Sequence, residues 1–254
     1  MFNIWGRIAV ICLALTLPGI ASAFTIYDEF GSFPDATWGG SGIPNDAVAS
    51  SKQFVFGPNG ETTIRVAMAA TQRYSNPVVT DNGAAIYQAG TGSNCGIATD
   101  PAGCPSANQG SLWNWNYYID ITGVGSLADY QIDIWYDLEA GPQRAIGDLS
   151  GLGRINVTQA LGGAPATILQ DSQNNLFSYL ETGGGAPYIT PPGGTFDPNA
   201  TGNYQFAITV NTGGAFNFPV DAVAMEVNVV PVPAAVWLFG SALGLLGWMR
   251  RKTA

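Results

Sequence analysis

Four segments of the chain alternate apolar and polar residues with a period of two: residues 117–121, 131–138, 204–211 and 223–229. Successive side chains of a β-strand point to opposite faces, so a strand between a core and water has this pattern. Shorter candidates occur at 53–56, 63–68 and 153–158. No stretch of the body sustains the 3.6-residue period of an amphipathic helix. The pattern predicts antiparallel sheets.

Turn-forming residues separate these strands, for example Gly57-Pro58-Asn59-Gly60. Many short strands with polar turns favour an all-β fold, an antiparallel β-sandwich of the jelly-roll type. Two glycine-containing stretches, 76–109 and 183–203, are too long for hairpin turns and are predicted to be surface loops. No repeat or boundary divides the body, so residues 24–229 are predicted to form one domain.

The N-terminus has the three parts of a secretory signal peptide. Arg7 supplies the positive charge, residues 8–17 are apolar, and Ala21 and Ala23 form the small-x-small pattern that signal peptidase accepts. An apolar helix of this length spans about 15 Å, half of a bilayer core, which argues against an uncleaved anchor. Residues 1–23 are therefore predicted to be removed after Ala23 during export.

A second apolar run lies near the C-terminus. Residues 234–249 contain no charge and are followed directly by Arg250, Arg251 and Lys252. As a helix this run reaches about 24 Å, which is short for a bilayer core of about 30 Å. Basic residues stay on the cytoplasmic side. The sequence therefore predicts one C-terminal transmembrane helix with a basic stop, and a body outside the inner membrane.

The tail, residues 230–254, resembles a known sorting signal. Val230, Pro231, Val232, Pro233 and Ala234 precede the apolar run and the basic cluster, in the order and at the spacing of the PEP-CTERM protein-sorting signal. The motif resembles the variant written Val-Pro-Leu-Pro-Ala, with Val232 in place of leucine. The resemblance implies a Gram-negative bacterium that makes exopolysaccharide or biofilm matrix. It also implies inner-membrane retention until an exosortase, a membrane-embedded cysteine transpeptidase, processes the tail.

The chain contains no histidine, and its body is acidic. Without histidine, a Ser-His-Asp triad, a Cys-His dyad and histidine-ligated zinc or haem are excluded. Nucleic acid is not an expected partner, because binding phosphates requires basic patches. No cofactor is predicted, and the chain is predicted not to be an enzyme. The body contains all 18 acids of the chain and few basic residues, namely Lys52, Arg65, Arg73, Arg144 and Arg154.

The exported body keeps two cysteines, because Cys12 leaves with the signal peptide. An even pair in an exported chain predicts a disulfide between Cys95 and Cys104. The intervening residues 96–103 are small and turn-forming, so the loop closes easily. Two thiols without histidine do not favour a metal site.

Four acidic residues cluster around one predicted strand: Asp129, Asp133, Asp137 and Glu139. Asp133 and Asp137 share a strand face but lie about 13 Å apart at the rise of a strand. This separation is too large for the carboxylate pair of a glycosidase. The cluster is therefore interpreted as a solvated face. A pair of carboxylates from different strands stays open, so a glycan hydrolase or lyase is a third functional alternative.

Three tryptophans, Trp113, Trp115 and Trp135, surround two predicted strands. On an outer face their rings would form a platform for stacking on sugars, and on an inner face they would fill the core. Trp135 shares a face with Asp133 and Asp137, which favours its exposure. The sequence leaves both arrangements open.

The leading hypothesis is a non-enzymatic surface or extracellular-matrix protein that is exported and then sorted through its tail by an exosortase. Its expected partners are signal peptidase, the exosortase and, before processing, the inner membrane. The alternative is a carbohydrate-binding module that recognises exopolysaccharide through the tryptophans.

Overall fold

A computed structural model describes residues 26–39, 43, 47–74, 76–95, 109–142, 149–211 and 221–231. The predicted signal peptide (1–23) and the tail beyond Pro231 lie outside these ranges. No helix within them is long and apolar enough to cross a membrane. The transmembrane helix at 234–249 stays a prediction from the sequence.

Strands make up most of the regular structure in these ranges. In chain order they are β1 (Glu29–Ser32), β2 (Val48–Phe56), β3 (Thr62–Gln72), β4 (Thr80–Asp81), β5 (Ile86–Gly90), β6 (Ser93–Asn94), β7 (Gly110–Ser111), β8 (Trp113–Gly123), β9 (Gln131–Tyr136), β10 (Gly153–Asn156), β11 (Ile168–Gln173), β12 (Ile189–Thr190), β13 (Gly202–Asn211) and β14 (Ala222–Val230). The helical elements are α1 (Val157–Leu161), α2 (Ser178–Thr182) and 3-10 turns at Leu127–Asp129 and Gly183–Gly185.

Two sheets contain most of these strands. The first sheet has the order β1-β2-β3-β8-β11, and the second sheet has the order β12-β10-β9-β13-β14-β5-β4. The strands β6 and β7 form a separate ribbon. Neighbouring strands run antiparallel, except for the parallel pair β5 and β14. The prediction of an all-β fold with antiparallel sheets is therefore confirmed, with one parallel pair.

One hydrophobic core joins the two sheets. The apolar positions of the four alternating segments face this core, and Ile119, Ile134, Phe206 and Val227 are at most 1% exposed. Burying an aliphatic or aromatic side chain of this size contributes about 1.5–3 kcal/mol. The alternation therefore accounts for the central strands β8, β9, β13 and β14.

The predicted strand at 153–158 is wrong in its second half. β10 ends at Asn156, and α1 begins at Val157. The Asn156 side chain accepts a hydrogen bond from the backbone N–H of Gln159 at 2.7 Å, which caps the helix N-terminus. Gly162 ends the helix in the left-handed conformation, with φ 57°. The two caps favour a helical turn over a longer strand.

The two predicted surface loops contain regular structure. The stretch 76–109 includes β5, which pairs with the core strand β14 and buries Tyr87 and Ala89. The stretch 183–203 includes β12 and the turn Gly183–Gly185. In β5 (Ile86–Gly90) the burial alternates, but the residue types do not, because apolar Ile86 stands directly before buried Tyr87. The sequence pattern therefore gives no strand signal there.

A second apolar cluster covers the outer face of the first sheet. Phe33, Ala36 and Trp38 pack there against Tyr118, and Trp38 is fully buried. On β11, Oε1 of Gln170 accepts hydrogen bonds from the backbone N–H groups of Thr37 and Trp38, at 2.9 and 2.8 Å. Thr37 and Trp38, which precede β2, are therefore hydrogen-bonded to β11.

Asn174 joins the end of β11 to the residues before and at the start of β8. Its side chain is fully buried. Oδ1 accepts hydrogen bonds from the backbone N–H groups of Ser111 and Leu176, at 2.9 and 3.2 Å. Nδ2 donates to the carbonyl oxygens of Ser111 and Trp113, at 3.2 and 3.1 Å, and to Oδ1 of Asn114 at 2.7 Å.

Replacing Asn174 by alanine is expected to lower the free energy of unfolding by about 2–4 kcal/mol, because buried backbone groups lose their partners. Urea denaturation followed by circular dichroism measures the change. Asn199→Ala is the control, because Asn199 is exposed in a loop, and it is expected to change stability by less than about 0.5 kcal/mol. Similar small losses for both variants would contradict the role given to Asn174.

Candidate functional site

Of the two arrangements that the sequence leaves open for the tryptophans, the structure has Trp113 and Trp115 in the core and not on a surface platform. Trp113 and Trp115 are 2% and 0% exposed and lie in the core between the sheets. Trp135 alone is partly exposed, and its Nε1 donates a hydrogen bond to Oγ1 of Thr209 at 3.0 Å. The physical reason is strand parity, because Trp113 and Trp115 occupy the same face of β8 as the core residues Tyr117 and Ile119.

The acidic cluster is a solvated face only in part. Asp129 and Glu139 are exposed, whereas Asp133 and Asp137 are buried. Burial raises the pKa of the Asp133 carboxyl, and the positive charge of Arg154 opposes this change. Nε of Arg154 lies 4.0 Å from Oδ1 of Asp133, which is beyond hydrogen-bond distance. The interpretation is therefore wrong for Asp133 and Asp137, because the outer face of the second sheet is largely buried.

The residues predicted to act in export and sorting lie mostly outside the described ranges. These are Ala21, Ala23, Cys104, Val232, Pro233, Ala234, Arg250, Arg251 and Lys252. Cys95 is described and is disulfide-bonded, while its pairing with Cys104 stays a prediction. Val230 is the last residue of β14, and Pro231 after it is exposed.

A groove opens where the two sheets separate at one edge, and we call it the edge groove. β11 lines it from the first sheet, β10 and β12 line it from the second, and α1 and α2 contribute side chains. Its cavity volume is about 420 Å³, which lies within the range of small-molecule sites. The lining residues are Tyr117, Ile134, Ile155, Val157, Ala160, Leu161, Leu169, Asp171, Gln173, Tyr179, Gly183, Gly184, Ala186, Tyr188 and Ile189.

Polar residues occupy core-facing positions on the β11 wall of the edge groove. Leu169, Asp171 and Gln173 pair with Ile119, Tyr117 and Trp115 of β8, and directly paired residues share a face of the sheet. The partners on β8 are all buried in the core. At the sheet edge, however, Asp171 is exposed, because the second sheet does not cover it.

A chain of hydrogen bonds holds Asp171 in place. The Tyr179 hydroxyl donates to Oε1 of Gln173, and Nε2 of Gln173 donates to Oδ2 of Asp171 at 2.8 Å. The backbone N–H of Ser172 donates to Oδ1 of Asp171 at 2.8 Å. Gln173, in the middle of this chain, is 3% exposed. The carboxylate is therefore oriented by a buried partner while it stays open to the groove.

Two tyrosines of the edge groove, Tyr117 and Tyr179, keep their hydroxyl protons at neutral pH. Burial raises the pKa of the Tyr117 hydroxyl, and the negative charge of Asp171 is the second cause. Burial also raises the pKa of the Tyr179 hydroxyl, with Asp171 again second. Both hydroxyls therefore remain neutral hydrogen-bonding groups beside the carboxylate.

The turn after α2 positions Tyr179. Gly184 has φ +56°, and a Cβ atom there would lie 2.9 Å from Cβ of Tyr179. Glycine is therefore needed at this position, both for the backbone conformation and for the close approach. On the other side, the Phe177 ring stacks on the Tyr179 ring with centroids 5.9 Å apart.

No residue of the edge groove belongs to a site that the sequence pattern predicts. The available signal was the segment 168–173, in which Leu169, Asp171 and Gln173 fall on one face of a strand. A polar residue at a core-facing position breaks the usual pattern and often marks a functional site. β11 lies at the edge of the first sheet, which leaves Asp171 open to the groove. This position depends on strand pairing between residues far apart in the sequence.

Comparisons with known proteins do not identify the chain. It matches no family model, no curated protein and no solved structure. Among the described residues, no three histidine, cysteine, aspartate or glutamate side chains come together as metal ligands.

Proposed function

We propose that the chain is a non-enzymatic, ligand-binding protein of a bacterial cell surface or extracellular matrix. The signal peptide (1–23) directs export. The tail (230–254) holds the chain in the inner membrane until an exosortase processes it, and the body (24–229) binds a ligand in the edge groove.

The observation that carries the binding role is the polar chain in the edge groove. Asp171 and Gln173 take core-facing positions in an otherwise mostly apolar cleft. Polar groups in such surroundings are costly unless they are hydrogen-bonded. Here a buried glutamine and a tyrosine hold one carboxylate toward open space. This combination of an apolar cleft and a few oriented polar groups is typical of ligand sites.

The residues of the groove favour binding over catalysis. Asp171 is the single carboxylate among the described lining residues, whereas glycoside hydrolysis generally uses two. The chain also has no histidine to serve as a general base. The hydrolase or lyase alternative gains no support from this site. The carbohydrate-binding alternative loses its original basis, because Trp113 and Trp115 are buried.

The end of the last strand supports the sorting role. β14 ends at Val230, the first residue of the sorting motif. The Val230 carbonyl oxygen accepts a hydrogen bond from the backbone N–H of Thr91 at 3.2 Å. The motif therefore starts directly at a core strand without a linker. In the proposed arrangement the membrane-held body lies close to the bilayer surface.

The proposal includes a β-sandwich as the fold of the body. Two sheets that pack on one core support this class. The neighbouring strands β1, β2 and β3 in one sheet, and the parallel pair β5 and β14, differ from the antiparallel Greek keys of a jelly roll.

Deleting residues 250–254 tests the anchor. The apolar run 234–249 is short, and each basic residue costs about 2.5–3.5 kcal/mol near the centre of a membrane helix. Without the basic cluster the chain is expected to leave the inner membrane uncleaved and to accumulate in the periplasm or medium. Cell fractionation and immunoblotting measure the distribution.

The matched control for this deletion removes residues 253–254 only and keeps Arg250, Arg251 and Lys252. This variant is expected to fractionate like the wild type. Retention of the longer deletion in the inner membrane at the wild-type level would argue against the basic cluster as a stop.

A further inference from the structure

We propose that the edge groove binds a protonated organic amine with an apolar body, its ammonium group at Asp171 and its body on the aliphatic residues of the groove. This inference rests on the proposed function, because it names the ligand class of the binding body. Three observations carry it: the charge of the groove, the composition of its lining and the orientation of its carboxylate.

The charge of the groove selects a cation. Among the described lining residues Asp171 is the one charged side chain, and no lysine or arginine lines the groove. An anionic ligand would meet an uncompensated carboxylate in a partly desolvated cleft, which is unfavourable. An ammonium group would instead form a charge-assisted hydrogen bond, which is about twice as strong as a neutral one.

Aromatic rings near Asp171 favour the same head group. The Tyr179 hydroxyl is linked to the Asp171 carboxylate through the amide group of Gln173. Tyr117 and Tyr188 also line the groove. Tyr117 faces Asp171 across the pairing of β8 and β11. Tyrosine rings attract cations through their π faces, and such sites recognise ammonium ligands. The carboxylate and the rings therefore act on one kind of group.

The remaining lining selects an apolar body. Ile134, Ile155, Leu161, Leu169 and Ile189 contribute aliphatic surface. A sugar would bring several hydroxyl groups into this surface, and each buried hydroxyl without a partner loses binding energy. A hydrocarbon body has no such requirement and gains from leaving water. The groove therefore fits an amphipathic amine better than a glycan.

The orientation of Asp171 indicates a prepared site. Oδ2 is held by Nε2 of the buried Gln173, and Oδ1 by the backbone N–H of Ser172. Each carboxylate oxygen has further lone pairs that accept additional donors. A preorganised acceptor loses little freedom when it binds its partner, which favours affinity.

Three probes of equal chain length test the inference: hexylammonium, hexanol and hexanoate. The full chain in lipid nanodiscs is titrated with each probe at neutral pH, and binding is followed by saturation-transfer NMR against empty nanodiscs. Hexylammonium is expected to bind at least about tenfold more tightly than hexanol, and hexanoate most weakly. Equal binding of hexanol and hexylammonium would overturn the inference.

Two single-charge variants locate the effect. Asp171→Asn keeps the size of the side chain and is expected to remove most of the tenfold preference for hexylammonium over hexanol. Glu181→Gln on α2 removes the same charge from an exposed residue nearby that does not line the groove, and is expected to keep the preference. The lipid of the nanodiscs takes up the same amount of each probe in both samples, so this uptake cancels when the two variants are compared. Equal losses in both variants would mean that the general negative charge of the body, and not Asp171, attracts the amine.

A substitution in the apolar part of the groove distinguishes binding of the ligand's apolar body from binding of its head group. Leu161→Ser is expected to weaken hexylammonium and hexanol by similar factors, because both probes share the hydrocarbon chain. Thermal unfolding of each variant shows whether the body is still folded. If no probe binds to the folded protein, the ligand class is wrong, while the export and sorting of the chain are tested independently by cell fractionation.

Discussion

Trp115→Ala is expected to lower the free energy of unfolding by about 3–5 kcal/mol, the usual loss for a buried tryptophan. Trp115 is fully buried and stacks on Tyr136 of the other sheet, with ring centroids 6.0 Å apart and planes 13° apart. Its Nε1 also donates a hydrogen bond to Oδ1 of Asn175 at 2.8 Å. Truncation therefore opens a cavity between the sheets and leaves a buried acceptor without its donor.

The matched control for this prediction is Trp135→Ala on the outer face of the second sheet. Trp135 is partly exposed and has one hydrogen bond, to Thr209, so a loss of about 1–2 kcal/mol is expected. Urea denaturation of both variants gives the comparison. A typical domain is stable by about 5–15 kcal/mol, so the larger loss is easily measured. Equal losses for the two tryptophans would contradict the placement of Trp115 in the core.

The central strands were predictable because their pattern is local. In β8 the alternation places Tyr117, Ile119 and Ile121 on one face, and burial of that face fixes the register. The same alternation extends back to Trp115 and Trp113, so their burial was also available from the sequence. Residue type alone does not distinguish burial from a surface platform, because aromatic residues are common both in cores and in sugar-binding sites.

The edge groove was not predictable, because its parts meet only through long-range pairing. Asp171 and Gln173 disturb the apolar alternation in β11, so that segment gave no strand signal. One part of the opposite wall is the two-residue strand β12, Ile189–Thr190, which is too short for any periodicity. The helix α1 was missed for a related reason, since five residues are less than two helical turns.

The largest effect on the fate of the protein is expected from Pro231→Ala combined with Pro233→Ala. Proline has no backbone N–H and cannot continue a strand ladder or a helix interior. β14 ends at Val230, directly before Pro231. Under the proposed function, the two prolines are expected to keep the sorting motif out of the strand and the helix, and so open to a processing enzyme. With alanine at both positions, the segment can join the strand or the membrane helix. The proposed anchor, residues 234–252, is unchanged in this variant, so the full-length chain is expected to accumulate in the inner membrane.

Val232→Leu is the control for the double proline variant. It restores the residue of the sorting-signal variant that the tail resembles and keeps both prolines. We expect it to be processed like the wild type. A loss of processing in this control would mean that the segment tolerates no change, so that the effect of the proline variant would not be specific.

Intact-mass spectrometry of the membrane and medium fractions, in a host that contains the matching exosortase, decides between a sorting signal and an ordinary anchor. For the wild type, the released protein should begin at Phe24 and lack the end of its tail. For Pro231→Ala/Pro233→Ala, the inner membrane should hold a chain that extends from Phe24 to Ala254. Cleavage of both proteins at the same residue, or a full-length mass for the wild type in every fraction, would contradict sorting through this tail.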